Sequence, residues 1–519
     1  MTSIEKNIEF VIHRFNPQDK RSYVSKYTIP IKKGTTILQA LMYIKENLDE
    51  TLAFRQSCRM GICGSCGITV NGKPKLACYT QVLHLNSNSL VIKPLSNFQV
   101  IKDLVVDIKP FFDTSKRIPS VLIKNEEQLD SLNEFIQKPA ELKEFWDLTL
   151  CIKCSLCYSS CPAVIDKKFL GPSTYATNYR FISDSRDDGL KQRINKIGDN
   201  IWLCTSCDSC TLCCPKELSL SNSIIDSRSS IIEHMGVIPK SGADVLINTA
   251  KYHNPMGVSS SKRTEWRRDL KIDDNSIEKE GVLLFTCCST AYEPRNQEIA
   301  RSVAYVLSKA GFNFKFLKGN EEWCCGDHQL RLGEKGLFEM LAEHNMSVFK
   351  ENKISNIVTM SPHCYNTFKN DEPYTSGQFN IKHYTELIAE EITKLELAKG
   401  IDKKVTYHDP CFLGKRNGIY DAPRKILTSI PDLEFIEMER TKENSYCCGG
   451  GAGRVWTDDS MPENRPAVNR IQEALKLGAE VITTACPFCV TTLEDAVKVL
   501  DVEDQIIVKD VSEILKKVL

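Results

Sequence analysis

Two adjacent cysteines followed by glycine occur twice in this chain, as CCG at 324–326 and CCGGG at 447–451, at an offset of 123 residues. Cys288 and Cys411 share that offset, and Cys364 and Cys489, in VTMSPHC and TTACPFC, stand 125 apart. Three cysteine positions at one spacing mark an internal duplication. Around them run short β-like segments, GVLLFTCC, FNFKFL, ISNIVTM, KKVTYHDPC and AEVITTACPFC, separated by helix-like stretches. That alternation predicts an α/β architecture with parallel strands, and several cysteines fall just past strand ends, where open α/β sheets place their ligands. The two copies are expected at 281–395 and 396–519.

Of the 519 residues 23 are cysteine, most of them grouped at 58–78, 151–161, 204–214, 287–288, 324–325, 447–448 and 486–489. Disulfide frameworks belong to small secreted domains, whereas grouped cysteines in a large chain point to metal. The opening MTSIEKNIEFVIHRF lacks a charged n-region followed by a long apolar stretch, so no secretory signal and a cytoplasmic location are expected. Lys plus Arg equals Asp plus Glu at 67 each, which gives no global attraction to nucleic acid or anionic membrane. No apolar run approaches the roughly 18 residues of a transmembrane helix, so no integral membrane segment is expected.

Residues 1–100 read as a small β-rich module, with strands IEFVIHRF and SKYTIPI, a helix in TTILQALMYIKENL and a hairpin turning at Asn71-Gly72. Residues 101–235 read as helical around two cysteine runs. Residues 236–280 mix Gly, Pro, Ser and charge, which suits a linker.

Cys58, Cys63 and Cys66, with Cys78 following, have the plant-type spacing of a [2Fe–2S] cluster, and Gly61, Gly64 and Gly67 allow a close wrap. A zinc loop is the bland alternative, but zinc ribbons favour two separated C-x2-C pairs. CIKCSLCYSSCP and CTSCDSCTLCCP follow the bacterial C-x2-C-x2-C-x3-C-P run, in which the fourth cysteine serves the other cluster. Cys151, Cys154, Cys157 and Cys214 are therefore expected to hold one [4Fe–4S] cluster, and Cys161, Cys204, Cys207 and Cys210 a second, with helices supplying the first three thiolates of each. Cys213 is left over and reads as packing. The second copy offers five cysteines, Cys411, Cys447, Cys448, Cys486 and Cys489, more than one cubane cluster uses. The first offers Cys288 or Cys287, Cys324, Cys325 and Cys364, with Ser361 where Cys486 stands, and is left open between a cluster, a zinc ion and no metal. His408, His363 and His328 read as hydrogen-bonded structural residues.

SCRMGICGSCGITVNG, LACYT, IKDLVVD at 101–107 and CPKELSL at 214–220 resemble the iron–sulfur subunit of succinate dehydrogenase and fumarate reductase. That resemblance implies a β-grasp [2Fe–2S] domain, an α-helical two-cluster ferredoxin domain and docking on an FAD subunit that interconverts fumarate and succinate. YHDPCFLGKRNGIYDAPRKIL, CCGGGAGRVW and TTACPFC resemble the cysteine-rich CCG domains of heterodisulfide reductase and of anaerobic glycerol-3-phosphate, glycolate and lactate oxidation systems. It implies a noncubane [4Fe–4S] cluster on Cys411, Cys447, Cys448, Cys486 and Cys489, while Cys288, Cys324, Cys325 and Cys364 stay open between a second such cluster, a zinc ion and no metal. Overall the expected fold is multidomain, α+β and α/β, ending in a duplicated α/β CCG domain.

The fusion of the two halves resembles the iron–sulfur subunits of the thiol:fumarate reductase family. It implies oxidation of coenzyme M and coenzyme B thiols to their heterodisulfide and reduction of fumarate on the FAD subunit. Cys207 completes the second run, where succinate dehydrogenases usually lack that cysteine and hold a [3Fe–4S] cluster. CPAVIDKKF at 161–169 lacks the tryptophan common in quinone-using members. The rivals are a membrane- or quinone-linked succinate, glycerol-3-phosphate or 2-hydroxyacid dehydrogenase subunit, and an electron-transfer module whose CCG half only binds a partner.

Overall fold

The structure is a computed structural model that describes residues 6–125, 134–236, 238–268, 270, 282–457 and 465–519. The chain forms two compact units, Met1–Ile201 with Asp208–Ser227, and Trp202–Cys207 with Arg228–Leu519.

In the first unit, strands β1 (Lys6–Asn16), β2 (Arg21–Ile31), β3 (Gly67–Val70), β4 (Lys73–Leu76) and β5 (Ser89–Lys93) form one mixed sheet of order β2-β1-β5-β3-β4. Alternation along β1 buries Ile8, Phe10 and Ile12 on one face, the period-two pattern of a half-covered strand. The helix Ile37–Asn47 packs Ile37, Leu41 and Ile44 into the same core, and a Thr36/Gln39 capping box fixes its start. A two-stranded ribbon, β6 (Val100–Lys102) and β7 (Val105–Val106), follows, and the rest of this unit is helical and irregular.

The second unit contains the duplication. Copy one has β8 (Val282–Phe285), β9 (Phe314–Lys315), β10 (Asn356–Thr359) and β11 (Asn380–His383), in the order β11-β10-β8-β9. Copy two has β12 (Lys403–Tyr407), β13 (Leu433–Ile436), β14 (Val481–Thr484) and β15 (Ile507–Asp510), in the order β13-β12-β14-β15. Numbered within each copy, both sheets read 2-1-3-4, all parallel. The sheet therefore reverses direction of growth between its first and third strands, which opens the crevice where such folds bind ligands. The fourth strands β11 and β15 and the edge strand β13 have no counterpart in the sequence expectation. They are four-residue runs of mixed polarity whose pairing is set by the sheet rather than by local preference.

The stretch 236–280, expected as a linker, carries the helix Lys240–Tyr252 and the buried Trp266 in the core of the second unit. Residues 237, 269 and 271–280 of it lie outside the described residues. Among the described residues no helix is long and apolar enough to cross a membrane.

Candidate metal centres

The loop 58–66 turns through positive φ at Arg59, Gly61 and Gly64, and this curls backbone N–H groups onto its own sulfurs. Met60 N and Cys63 N donate to Cys58 Sγ at 3.4 and 3.3 Å, and Cys78 N donates to Cys66 Sγ at 3.5 Å. Ser65 holds the Cys63 thiol down at about 6, while burial pushes Cys66 up to about 12. Cys58 is half-buried and Cys63 exposed, and the side chains of Met60, Ile62 and Tyr79 stand out into solvent around them. A Cβ on Gly64 would lie 2.8 Å from Cys154 Cα, so this loop is pressed against the first four-cysteine run.

Cys151, Cys154, Cys157 and Cys214 line one cleft, walled by Phe111, Leu218 and Leu220. Helices do not supply these thiols as expected. Cys151 and Cys154 lie in irregular chain, and only Cys157 sits in the five-residue helix Leu156–Ser160. Lys153 and Ser155, and Ser206 and Asp208 in the second run, take positive φ, bending the chain between successive cysteines as no helix does. Cys161 and Cys210 are buried in the first unit, Cys204 and Cys207 in the second. Cys213 is half-buried, with its sulfur 3.2 Å from Ser160 Oγ.

Copy two gathers its five thiols into a continuous chain of sulfur contacts, Cys411–Cys447–Cys448–Cys489–Cys486, with Cys448 and Cys489 3.4 Å apart. The turn after Cys448 is possible because Gly449 takes φ +95, as Gly326 takes +87 in copy one. Within the same unit, Cys207 hydrogen-bonds Cys447, Thr205 Oγ1 lies 3.6 Å from the Cys447 sulfur, and Arg416 donates to Ser206 O. A Cβ at Gly451 would sit 2.5 Å from Thr205 O, so only glycine lets the second ferredoxin run approach this turn. His408 reaches within 4.8 Å of the Cys448 and Cys489 sulfurs. Burial pushes its imidazole down to about 3, Arg470 donates to its Nδ1, and its Nε2 is buried without a partner.

Copy one gathers Cys288, Cys324, Cys325 and Cys364, and also Cys287, whose thiol hydrogen-bonds Cys364. Arg263, buried and paired with Glu322 at 2.6 Å, points a guanidinium nitrogen at Cys288 Sγ, 3.5 Å away.

The donor sets fit iron–sulfur groups: buried sulfurs in contact, backbone N–H groups aimed at them, a cleft among four thiols, and an orphaned imidazole nitrogen. Residues 9–113 match the 2Fe-2S iron-sulfur cluster binding domain, 147–218 the 4Fe-4S dicluster domain, and 282–369 and 405–494 the cysteine-rich CCG domain. Over 95% of its length the chain is 30% identical to a fumarate reductase (CoM/CoB) subunit of Methanothermobacter marburgensis, 95% of which is covered. The chain belongs to that family of iron–sulfur oxidoreductase subunits. An uncharacterised iron–sulfur protein of Methanocaldococcus jannaschii is 32% identical over 96% of both chains. EtfAB:quinone oxidoreductase of Syntrophomonas wolfei is 31% identical over 72% of this chain and 58% of its own.

Family membership leaves one feature of the CCG half unexplained by sequence spacing. Asp327 accepts a hydrogen bond from His363 Nδ1 at 2.7 Å, and His363 in turn hydrogen-bonds Cys486 of the other copy. Burial works against the His363 imidazolium, but Asp327 outweighs it and raises the group to about 10. Burial likewise pushes Cys486 up, but Cys489 and His363 outweigh it and hold the thiol at about 5. Three residues from two copies make this group, which is why reading His363 alone as structural misses it. Asp327 following CCG is the available signal.

Proposed function

We propose that this chain is the iron–sulfur subunit of a thiol-driven fumarate reductase. Two thiols, of the coenzyme M and coenzyme B class, lose two electrons and two protons to become a disulfide at the CCG half. The same number of electrons and protons converts fumarate to succinate on an FAD-bearing partner. Bound at their sites, one [2Fe–2S], two [4Fe–4S] and at least one noncubane [4Fe–4S] group supply the one-electron steps and a Lewis-acidic iron for thiolate binding.

In this reading, Cys411, Cys447, Cys448, Cys486 and Cys489 hold the noncubane group. Cys58, Cys63, Cys66 and Cys78 hold the [2Fe–2S] group. Cys151, Cys154, Cys157 and Cys214 hold one cubane, and the spacing of the runs gives the other to Cys161, Cys204, Cys207 and Cys210. The observation that carries the reading is the Cys207–Cys447 hydrogen bond, which puts a ferredoxin-run thiol against the CCG turn. Exposed Met60, Ile62 and Tyr79 beside Cys63 offer an apolar surface for the flavin partner. We place the complex in the cytoplasm, because cysteines grouped for metal suit a reducing compartment.

The quinone-linked relative supports a second reading, in which the CCG half takes electrons from a quinol. Anaerobic reconstitution of the full chain with iron, sulfide and the flavin partner separates the two. Fumarate-dependent consumption of the thiol pair is expected. Oxidation of a quinol with no turnover of thiols would overturn the proposal.

A further inference from the structure

Copy one is one cysteine short of copy two only if the two are compared position by position. The chain of sulfur contacts in copy two runs Cys411–Cys447–Cys448–Cys489 and ends at Cys486, which hydrogen-bonds Cys489. In copy one it runs Cys288–Cys324–Cys325–Cys364 and ends at Cys287, which hydrogen-bonds Cys364. Cys364 is the counterpart of Cys489, so the fifth thiol meets the same partner in both copies.

The register of the sheets explains how a thiol can change position without changing place. Phe285 pairs with Thr359 across β8 and β10, so Cys287 and Ser361, each two residues further on, leave the sheet side by side. In copy two, Tyr407 pairs with Thr483 across β12 and β14, and Pro410 and Cys486, three residues on, are the equivalent neighbours. Adjacent strands are about 4.8 Å apart, so a sulfur on either member of such a pair reaches the same crevice. Each copy carries one cysteine in the pair, Cys287 in copy one and Cys486 in copy two. Ser361 does another job: its hydroxyl accepts from His363 N at 3.3 Å and caps the helix Pro362–Asn370. Cys287 is as buried as the other four thiols of its group, all at 3–5% exposure.

We infer that copy one holds a polynuclear iron–sulfur cluster on Cys287, Cys288, Cys324, Cys325 and Cys364, with Cys287 in the role of Cys486. A structural zinc ion takes four ligands, and a fifth buried thiol in contact with them would have no metal to serve. The inference rests on the reading of copy two as a cluster site, and the test keeps the two apart.

The full chain is reconstituted anaerobically with iron and sulfide, and iron, sulfide and zinc are counted alongside Mössbauer and EPR spectra. Cys287→Ser is expected to lose one cluster's complement of iron, with its spectral component, and Cys287→Ser/Ser361→Cys to regain both. Cys486→Ser should lose a separate component, and Cys486→Ser/Pro410→Cys should recover it. Full iron in Cys287→Ser, or stoichiometric zinc in the wild type with only one such spectral component, overturns the inference. Full iron in Cys486→Ser would instead remove the reading of copy two. Should Cys287→Ser fail to fold, the wild-type zinc count and the undiminished or diminished iron of Cys287→Ala decide the matter.

Discussion

The two CCG copies share topology and sulfur connectivity, yet they surround their thiols differently. After the paired cysteines copy one continues Gly326-Asp327-His328, where copy two continues Gly449-Gly450-Gly451. In copy one those side chains build a buried network: Asp327 holds His363 and is approached by Arg331 at 3.4 Å. In copy two they are removed altogether: Thr492 packs over Gly450, and the backbone of Thr205 lies against Gly451. Arg263 faces Cys288 in copy one, while the neutral, buried His408 stands near Cys448 and Cys489 in copy two. Position 285, the counterpart of 408, is phenylalanine. Duplication has thus preserved the donors while assigning the copies different neighbours, one polar and enclosed, the other bared for contact with a ferredoxin run.

Removal of a thiol from the centre of copy two should have the largest consequence. Cys448→Ser should abolish thiol-driven fumarate reduction in the reconstituted complex while fumarate reduction from an artificial dye continues. If both activities vanish from a folded, flavin-loaded complex, the thiol end is not separable from the rest.

Next in size is the cation of copy one. Arg263→Gln leaves Glu322 buried without its partner, and loss of one member of a buried ion pair costs about 3–5 kcal/mol. Arg263→Met/Glu322→Met should recover most of that, because neither charge then remains. Denaturation midpoints of the two variants measured side by side check this, and equal losses would mean that the pair is not the source.

Gly451→Ala tests the bared turn of copy two. Its new Cβ would meet Thr205 O at 2.5 Å, and overpacking of this kind costs about 1–3 kcal/mol. A drop of roughly tenfold in thiol-driven turnover, against unchanged dye-driven turnover, is expected if the contact serves transfer between the two sites. A variant with wild-type melting and wild-type turnover would show that the close approach has no importance.

How much of this was legible in the sequence depended on the length scale of the signal. The plant-type and bacterial cysteine runs are local, so their spacing alone identified 58–78, 151–161 and 204–214. The duplication was visible as an offset, and the β-like runs leading to Cys288, Cys364, Cys411 and Cys489 located the first and third strands. What escaped was non-local. Cys287, read only as an alternative to Cys288, joins the group as a fifth thiol because β8 and β10 are neighbours in register. Asp327, His363 and Cys486 meet across the two copies, and Trp266 is drawn into the core from a stretch whose composition reads as linker. Strands β11, β13 and β15 escaped because four mixed residues carry no period long enough to detect.

The two copies should also differ, by a smaller amount, in how their stability responds to pH. The fourth strand of each copy ends in a buried residue that caps the following helix: His383 in copy one, accepting from Thr385 N, and Asp510 in copy two, accepting from Ser512 N at 2.9 Å. Burial pushes His383 down to about 3, and it pushes Asp510 up to about 7 even though Ser512 and Tyr384 bond to it. Asp510 is therefore protonated in the folded chain where the unfolded chain is already ionised, so stability falls as pH rises from about 4 through 7. Between pH 6 and 7 that amounts to about 1 kcal/mol. His383 has the opposite sign: it stays neutral when folded, so stability present above about pH 6.5 is lost as pH falls, again by about 1 kcal/mol between pH 6 and 5. Asp510→Asn keeps a capping side chain and should flatten the neutral limb of the stability profile, and His383→Asn should flatten the acid limb. Thermal midpoints across pH 5–8 measure both, and a single variant that flattened both limbs would mean that the two caps do not titrate independently.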